Sequence, residues 1–156
     1  MPKAKILIAD DHAANRELLE AYLDDMDCDI ACSIDGKDTL AKIEQFQPDL
    51  VLLDVMMPQL NGFEVCQRIK GDPNTSNTMV LMVTALNELG DIERAVKAGT
   101  DDFLTKPVNR AELLKRVGNM LRLKETTDEL ERLRRYIESI EDLSDPQASR
   151  RRSSGS

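Results

Sequence analysis

The sequence predicts an α/β fold of the (βα)5 kind: a doubly wound parallel sheet with helices on both faces and an extended C-terminal helix. Two observations predict it. Apolar runs of strand length alternate five times with stretches of helical period, the pattern of a parallel sheet with crossover helices. Three runs, Ile6-Leu7-Ile8, Leu50-Val51-Leu52-Leu53 and Val80-Leu81-Met82-Val83, are continuous rather than alternating, as in strands covered on both faces.

In chain order, strands are predicted at Lys5–Ala9, Asp29–Ser33, Leu50–Leu53, Met79–Thr84 and Asp102–Thr105. The second and fifth are less apolar, which suits sheet edges. Helices are predicted at Ala14–Met26, Gly36–Phe46, Gly62–Gly71, Glu88–Ala98 and from Arg110 onward. Pro48-Asp49 breaks the chain before the third strand, Asn61-Gly62 before the third helix, and Gly99 follows the fourth helix where a left-handed cap is favoured. Asn109 and Glu112 have the spacing of a capping-box variant.

Beyond Leu123 the polar, helix-favouring stretch 124–143 continues the last helix. Leu123, Leu130, Leu133, Ile137 and Ile140 are spaced seven, three, four and three apart, the seam of a coiled coil and the basis for a homodimer. With Leu123, Leu130 and Ile137 at a, Glu129 falls at g and Arg134 at the following e, a pairing for a parallel dimer. The other reading is a single amphipathic helix packed on its own domain. Residues 144–156, rich in Ser and Arg, read as a disordered tail. The predicted organisation is therefore 1–123 as the folded domain, 124–143 as the helical extension and 144–156 as the tail.

Among 156 residues, 41% are hydrophobic and 32% charged, so a folded core is expected, and the net charge of −8 argues against direct binding to nucleic acid. Cys28, Cys32 and Cys66 form no Cys-x-x-Cys pair and a single His accompanies them, which excludes a zinc site and leaves buried thiols as the reading. Ile6 to Ala9 is followed at once by acids, so neither a signal peptide nor a transmembrane helix is predicted; no membrane association and a cytoplasmic location are expected.

In an open parallel sheet, ligands gather beyond the carboxyl ends of the strands. Asp10-Asp11 follow the first strand, Asp54 follows the third, Thr84 ends the fourth and Lys106 follows the fifth. A flavodoxin-like strand order, 2-1-3-4-5, sets the first and third strands side by side and brings three carboxylates together. Carboxylates so close repel one another unless protonated or neutralised by a cation. A hard divalent ion with oxygen ligands, Mg²⁺, fits the residue types. Asp54 is then a nucleophile toward phosphorus, with Lys106 and Thr84 placed to stabilise the transferring oxygens.

The motifs Ile8-Ala9-Asp10-Asp11, Leu52-Leu53-Asp54-Val55-Met56-Met57-Pro58, Asn61-Gly62, Val83-Thr84-Ala85, Gly99-Thr100-Asp101-Asp102-Phe103 and Thr105-Lys106-Pro107 occur in this order. With them the chain resembles, from about Lys5 to Leu123, the receiver domain of two-component response regulators, the family of the chemotaxis regulator; it is most similar to receivers that precede diguanylate cyclases. The resemblance implies that Asp54 is phosphorylated by a histidine kinase or a histidine phosphotransfer protein. It also implies that Asp11 and Asp54 bind Mg²⁺ directly, with Met56 adding its backbone carbonyl and Asp10 acting mainly through water. Lys106 would pair with the phosphoryl group, and the Lys106-Pro107 bond would be cis. Thr84 would move toward the phosphoryl oxygens and Phe103 into the space left, a switch resting on packing because Phe103 lacks a hydroxyl.

Asn61 departs from the Asp often found before the glycine, and His12 from another polar residue; His12 reads as a solvated helix-start residue. Met56 and Leu86 replace polar residues that guide water in relatives, which predicts a long-lived phosphoryl state. Two other readings stand beside the signalling phosphoacceptor, which is not an enzyme in the turnover sense. One is a receiver-fold scaffold that is never phosphorylated. The other is a Mg²⁺-dependent aspartate-nucleophile phosphatase, which resembles Asp-x-Asp where this chain has Met56. The output is either a domain of a longer protein or a partner reached through the helix and its dimer.

Overall fold

The computed structural model describes residues 3–85 and 89–144. Five strands and five helices alternate: β1 (Ala4–Ala9), α1 (Ala13–Leu23), β2 (Cys28–Ser33), α2 (Gly36–Phe46), β3 (Leu50–Asp54), α3 (Gly62–Gly71), β4 (Met79–Thr84), α4 (Leu89–Ala98), β5 (Asp102–Thr105) and α5 (Arg110–Ser144). The sheet is parallel throughout and its order is β2-β1-β3-β4-β5, the doubly wound flavodoxin-like arrangement with β2 and β5 at the edges. Two compact units divide after Lys124. The tail from residue 145 on, with Arg150, Arg151 and Arg152, and the position of Leu86 lie outside the described residues.

Alternation along the three inner strands sorts their side chains into two cores. Leu7, Val51, Leu53, Val80 and Met82 pack against Ile43 of α2, Phe63, Cys66 and Ile69 of α3, and Ala95 and Ala98 of α4. Ile6, Ile8, Leu50, Leu52, Leu81 and Val83 face Leu19 and Leu23 of α1 and Leu113, Val117 and Met120 of α5. Each fully buried aliphatic side chain contributes about 2 kcal/mol. Two-sided coverage is why residues 6–9, 50–53 and 79–83 are continuously apolar.

Caps fix the helix starts. Asp35, Asn61 and Asn109 accept hydrogen bonds from the amides of Asp38, Glu64 and Glu112 at 2.7, 3.0 and 3.0 Å. Only half of a capping box forms at α5, because the Glu112 carboxylate pairs with Arg116 at 3.2 Å. Helix α1 stops at Leu23, three residues short of the predicted Met26. Asp24 and Asp25 would sit at the negative end of the helix dipole, and the chain instead turns, with the Met26 amide donating to the Leu23 carbonyl at 2.9 Å. Met26 still packs against the core, which accounts for its apolar spacing. Gly99 takes φ +88° after α4, the left-handed conformation that favours glycine.

Cys66 is buried, whereas Cys28 and Cys32 are only half-buried, because β2 is an edge strand. Burial pushes the Cys32 and Cys66 thiols up to about 11, so neither ionises readily at neutral pH. Within the C-terminal unit, Leu130, Leu133, Tyr136, Ile137 and Ile140 are exposed along α5. Arg135 pairs with Glu131 at 3.1 Å, and Arg132 donates to the Asp128 main-chain carbonyl at 3.4 Å. No helix among the described residues is long and apolar enough to cross a membrane.

Candidate functional site

Register places the polar residues. Ala9 is level with Leu53, Asp54 with Val83, and Thr84 with Thr105, so Asp10, Asp54, Thr84 and Lys106 all meet at the carboxyl rim of the sheet. The rim is tied by the Asp10 amide donating to Ser33 O at 3.1 Å and the Lys106 amide donating to Thr84 O at 2.7 Å. The Lys106–Pro107 peptide bond is cis.

Asp10 and Asp54 are almost fully buried, at 2% and 4% exposure. Lys106 Nζ lies between them, 3.6 Å from Asp10 Oδ2 and 3.5 Å from Asp54 Oδ2. The other Asp54 oxygen, Oδ1, accepts the Met56 amide at 3.2 Å, and Asp10 Oδ1 accepts the His12 amide at 2.9 Å. Burial pushes the Asp54 carboxyl above the usual carboxylate range; Lys106 draws it down, Asp10 pushes it up, and the Met56 amide draws it down. The net direction is upward, because the cost of burying the charge outweighs the pull of Lys106.

An acceptor without a hydrogen-bond donor stands at Asp11. Its Oδ1 is the one buried side-chain oxygen or nitrogen among the described residues that lacks a hydrogen-bond partner. One donor atom each from Asp10, Asp11, His12 and Asp54 lies within 4.8 Å of the others. An orphaned buried oxygen within a cluster of three carboxylates fits a divalent cation with oxygen ligands. Met56 follows with its side chain turned outward, 65% exposed.

The main chain beneath Asp54 is held by a glycine. The Gly62 amide donates to Val55 O at 2.8 Å, and a Cβ at Gly62 would stand 2.5 Å from Asp54 O and 2.7 Å from Val55 Cα. Only glycine lets α3 begin this close to the end of β3.

Thr84 is buried at the end of β4. Phe103, half-buried on β5, lies beside a small cavity lined by Val55, Phe63, Met82, Thr84, Ala95 and Phe103 itself. On the other side of Lys106, an apolar groove runs between α1 and the β5–α5 loop, with Leu18, Leu19, Tyr22, Pro107 and Val108 in its walls. Sequence reasoning assigned His12 to solvent. Its ring, though 68% exposed, is turned to the acids, with Nδ1 2.9 Å from Asp11 Oδ1 and 3.6 Å from Asp10 Oδ1.

The family model for the response regulator receiver domain matches residues 6–118. Response regulator PleD of Caulobacter vibrioides is 42% identical over 127 residues, covering 81% of this chain and 28% of that protein. This chain therefore spans less than a third of the length of that relative. A receiver domain protein from Methanospirillum hungatei superposes with a TM-score of 0.75 at 26% identity, covering 81% of this chain and 99% of that one. The receiver domain of sensor histidine kinase PA1611 from Pseudomonas aeruginosa, solved with a magnesium ion coordinated in its active-site cleft, gives a TM-score of 0.71 at 28% identity, covering 77% of this chain and 98% of that one.

Proposed function

Because this chain belongs to the response regulator receiver family, we propose that it accepts a phosphoryl group on Asp54 from a histidine kinase or a histidine phosphotransfer protein and switches conformation to control an output or partner. The observation that carries this is the pair of buried acids, Asp10 and Asp54, sharing one lysine at 3.5–3.6 Å beside the unpartnered Asp11 oxygen. Asp10, Asp11 and Asp54, with the Met56 carbonyl, would hold Mg²⁺, which when bound neutralises the acids and stabilises charge on phosphoryl oxygens. The magnesium in the cleft of the PA1611 receiver supports the assignment.

In the transfer, an Asp54 carboxylate oxygen forms a bond to phosphorus as the phosphorus–nitrogen bond of the donor phosphohistidine breaks; the electron pair leaves on the imidazole nitrogen, which takes a proton. Lys106 is a fixed cation for the transferring oxygens, and Thr84 offers its hydroxyl to them. The phosphoryl group adds about −1.5 to −2 charge at Asp54. Thr84 then moves inward, and Phe103 turns into the cavity beside it. The donor's helix docks in the apolar groove along α1, which opens onto Asp10 and Lys106. Met56 stands where an ester phosphatase of the Asp-x-Asp type carries its general acid, and its exposed thioether cannot donate a proton. Phosphoacceptance without turnover is therefore the favoured reading over that enzyme, and Lys106 facing intact acids favours it over an unphosphorylated scaffold.

Residues 1–123 form the receiver in this reading. Residues 124–143 form a helical extension whose seam, Leu123, Leu130, Leu133, Ile137 and Ile140, pairs with a second copy. All five are exposed, between 45% and 62% of their surface. Incubation with acetyl phosphate and Mg²⁺ should add one phosphoryl group to the intact mass, and the Asp54→Ala variant should gain none. Sedimentation with and without beryllofluoride tests the seam; a monomer in both states removes it from the mechanism.

A further inference from the structure

We propose that His12 is a fourth side-chain ligand of the ion held by Asp10, Asp11 and Asp54, and that its imidazole turns the preference of the pocket from Mg²⁺ toward a first-row divalent ion that accepts nitrogen. This rests on the reading that the three carboxylates hold a divalent ion.

Three observations at His12 support it. His12 is the N-cap of α1 with extended backbone, and its ring makes no capping hydrogen bond. It faces the acids instead, with Nδ1 2.9 Å from Asp11 Oδ1. At that distance Asp11 Oδ1 nevertheless has no hydrogen-bond partner, so the two atoms touch without the alignment that an N–H donor needs. An imidazole nitrogen and a carboxylate oxygen at this distance, out of hydrogen-bond alignment and among four gathered donor atoms, stand as neighbouring ligands of one ion do.

The spacing agrees. For bonds of about 2.1 Å, adjacent ligands of an octahedral ion stand about 3.0 Å apart and opposite ligands about 4.2 Å. The donor atoms of Asp10, Asp11, His12 and Asp54 lie within 4.8 Å of one another, so a small inward adjustment gathers them into one shell. Lys106 does not compete for this position: it lies on the Oδ2 side of Asp10 and Asp54, and His12 lies on the Oδ1 side of Asp10.

Chemistry then separates the ions. Mg²⁺ prefers oxygen ligands and retained waters, and gains little from imidazole, whereas first-row divalent ions bind imidazole well. His12 is thus a specificity-determining residue for the ion.

The test uses Mn²⁺ as probe on the full chain. Electron spin-echo modulation of the bound Mn²⁺ should show coupling to an imidazole nitrogen that disappears in His12→Ala. In equilibrium titrations the same substitution should lower the ratio of Mn²⁺ to Mg²⁺ affinity about tenfold. Bound Mn²⁺ with no nitrogen coupling and an unchanged affinity ratio would overturn the assignment of His12 while leaving the carboxylate site standing. Failure of either ion to bind would remove both.

Discussion

Two lysines meet aspartates at opposite ends of the same sheet, and they do so differently. At the amino end, Lys70 of α3 is saturated: Nζ lies 2.7 Å from Asp101 Oδ2 and donates to Thr78 O at 2.7 Å and Ser76 O at 3.3 Å, and Asp101 itself accepts the Val80 amide at 2.7 Å. At the carboxyl end, Lys106 is divided between two buried acids at 3.5 and 3.6 Å. The first arrangement matches charge with partners at hydrogen-bonding distance and leaves nothing for a ligand to do. In the second, geometry is loose and negative charge is in excess. The same pair of residue types thus makes a structural knot where it is satisfied and a reactive site where it is not.

Removing the acid at the loose end should have the largest effect. Asp54→Ala should abolish phosphoryl labelling, and a variant that still gained mass would place the acceptor elsewhere. At the tight end the loss should appear as stability: Lys70→Met leaves Asp101 and two carbonyls without their cation, at a cost of about 3 kcal/mol in chemical denaturation. Its labelling rate per folded molecule should stay that of the wild type; slow labelling there would dissolve the distinction between the two ends. Lys106→Ala should show in the chemistry, with labelling by acetyl phosphate slower by a factor on the order of 10².

The smallest effect concerns pH. Asp54 has its folded pKa raised, mainly by burial, so the fold holds the proton more tightly than the unfolded chain does. Stability from this group therefore falls as pH rises from the ordinary carboxylate value, about 3.9, through the higher folded value. Without divalent ions, Asp54→Asn should melt above the wild type at neutral pH, and the gap should close as the pH drops below that window. A gap that widened in acid would reverse the sign argued for the site.

The inner strands are legible in the sequence because a strand buried on both faces must be continuously apolar, and Ile6-Leu7-Ile8 and Val80-Leu81-Met82-Val83 have no other use on a surface. The rim follows from the same logic, since a charged residue directly after such a run can only stand at the strand's end. What escapes sequence reasoning depends on side-chain direction. His12 reads as a solvated helix-start residue, and nothing in the residue string shows the ring aimed at Asp11. Lys70 in the last turn of α3 has the place of a charge complementing the helix dipole, whereas its partners are Ser76 and Thr78 in the segment that follows α3 and the distant Asp101 before β5. The end of α1 is overestimated because Met26 keeps helical spacing while reaching the core from a turn.

Gly62 has one more consequence. With main chain against main chain below Asp54 and no side chain between to take up slack, α3 and the end of β3 must shift as one body. A pull on the aspartate is then handed to the helix without delay, like a lever whose pivot has no play.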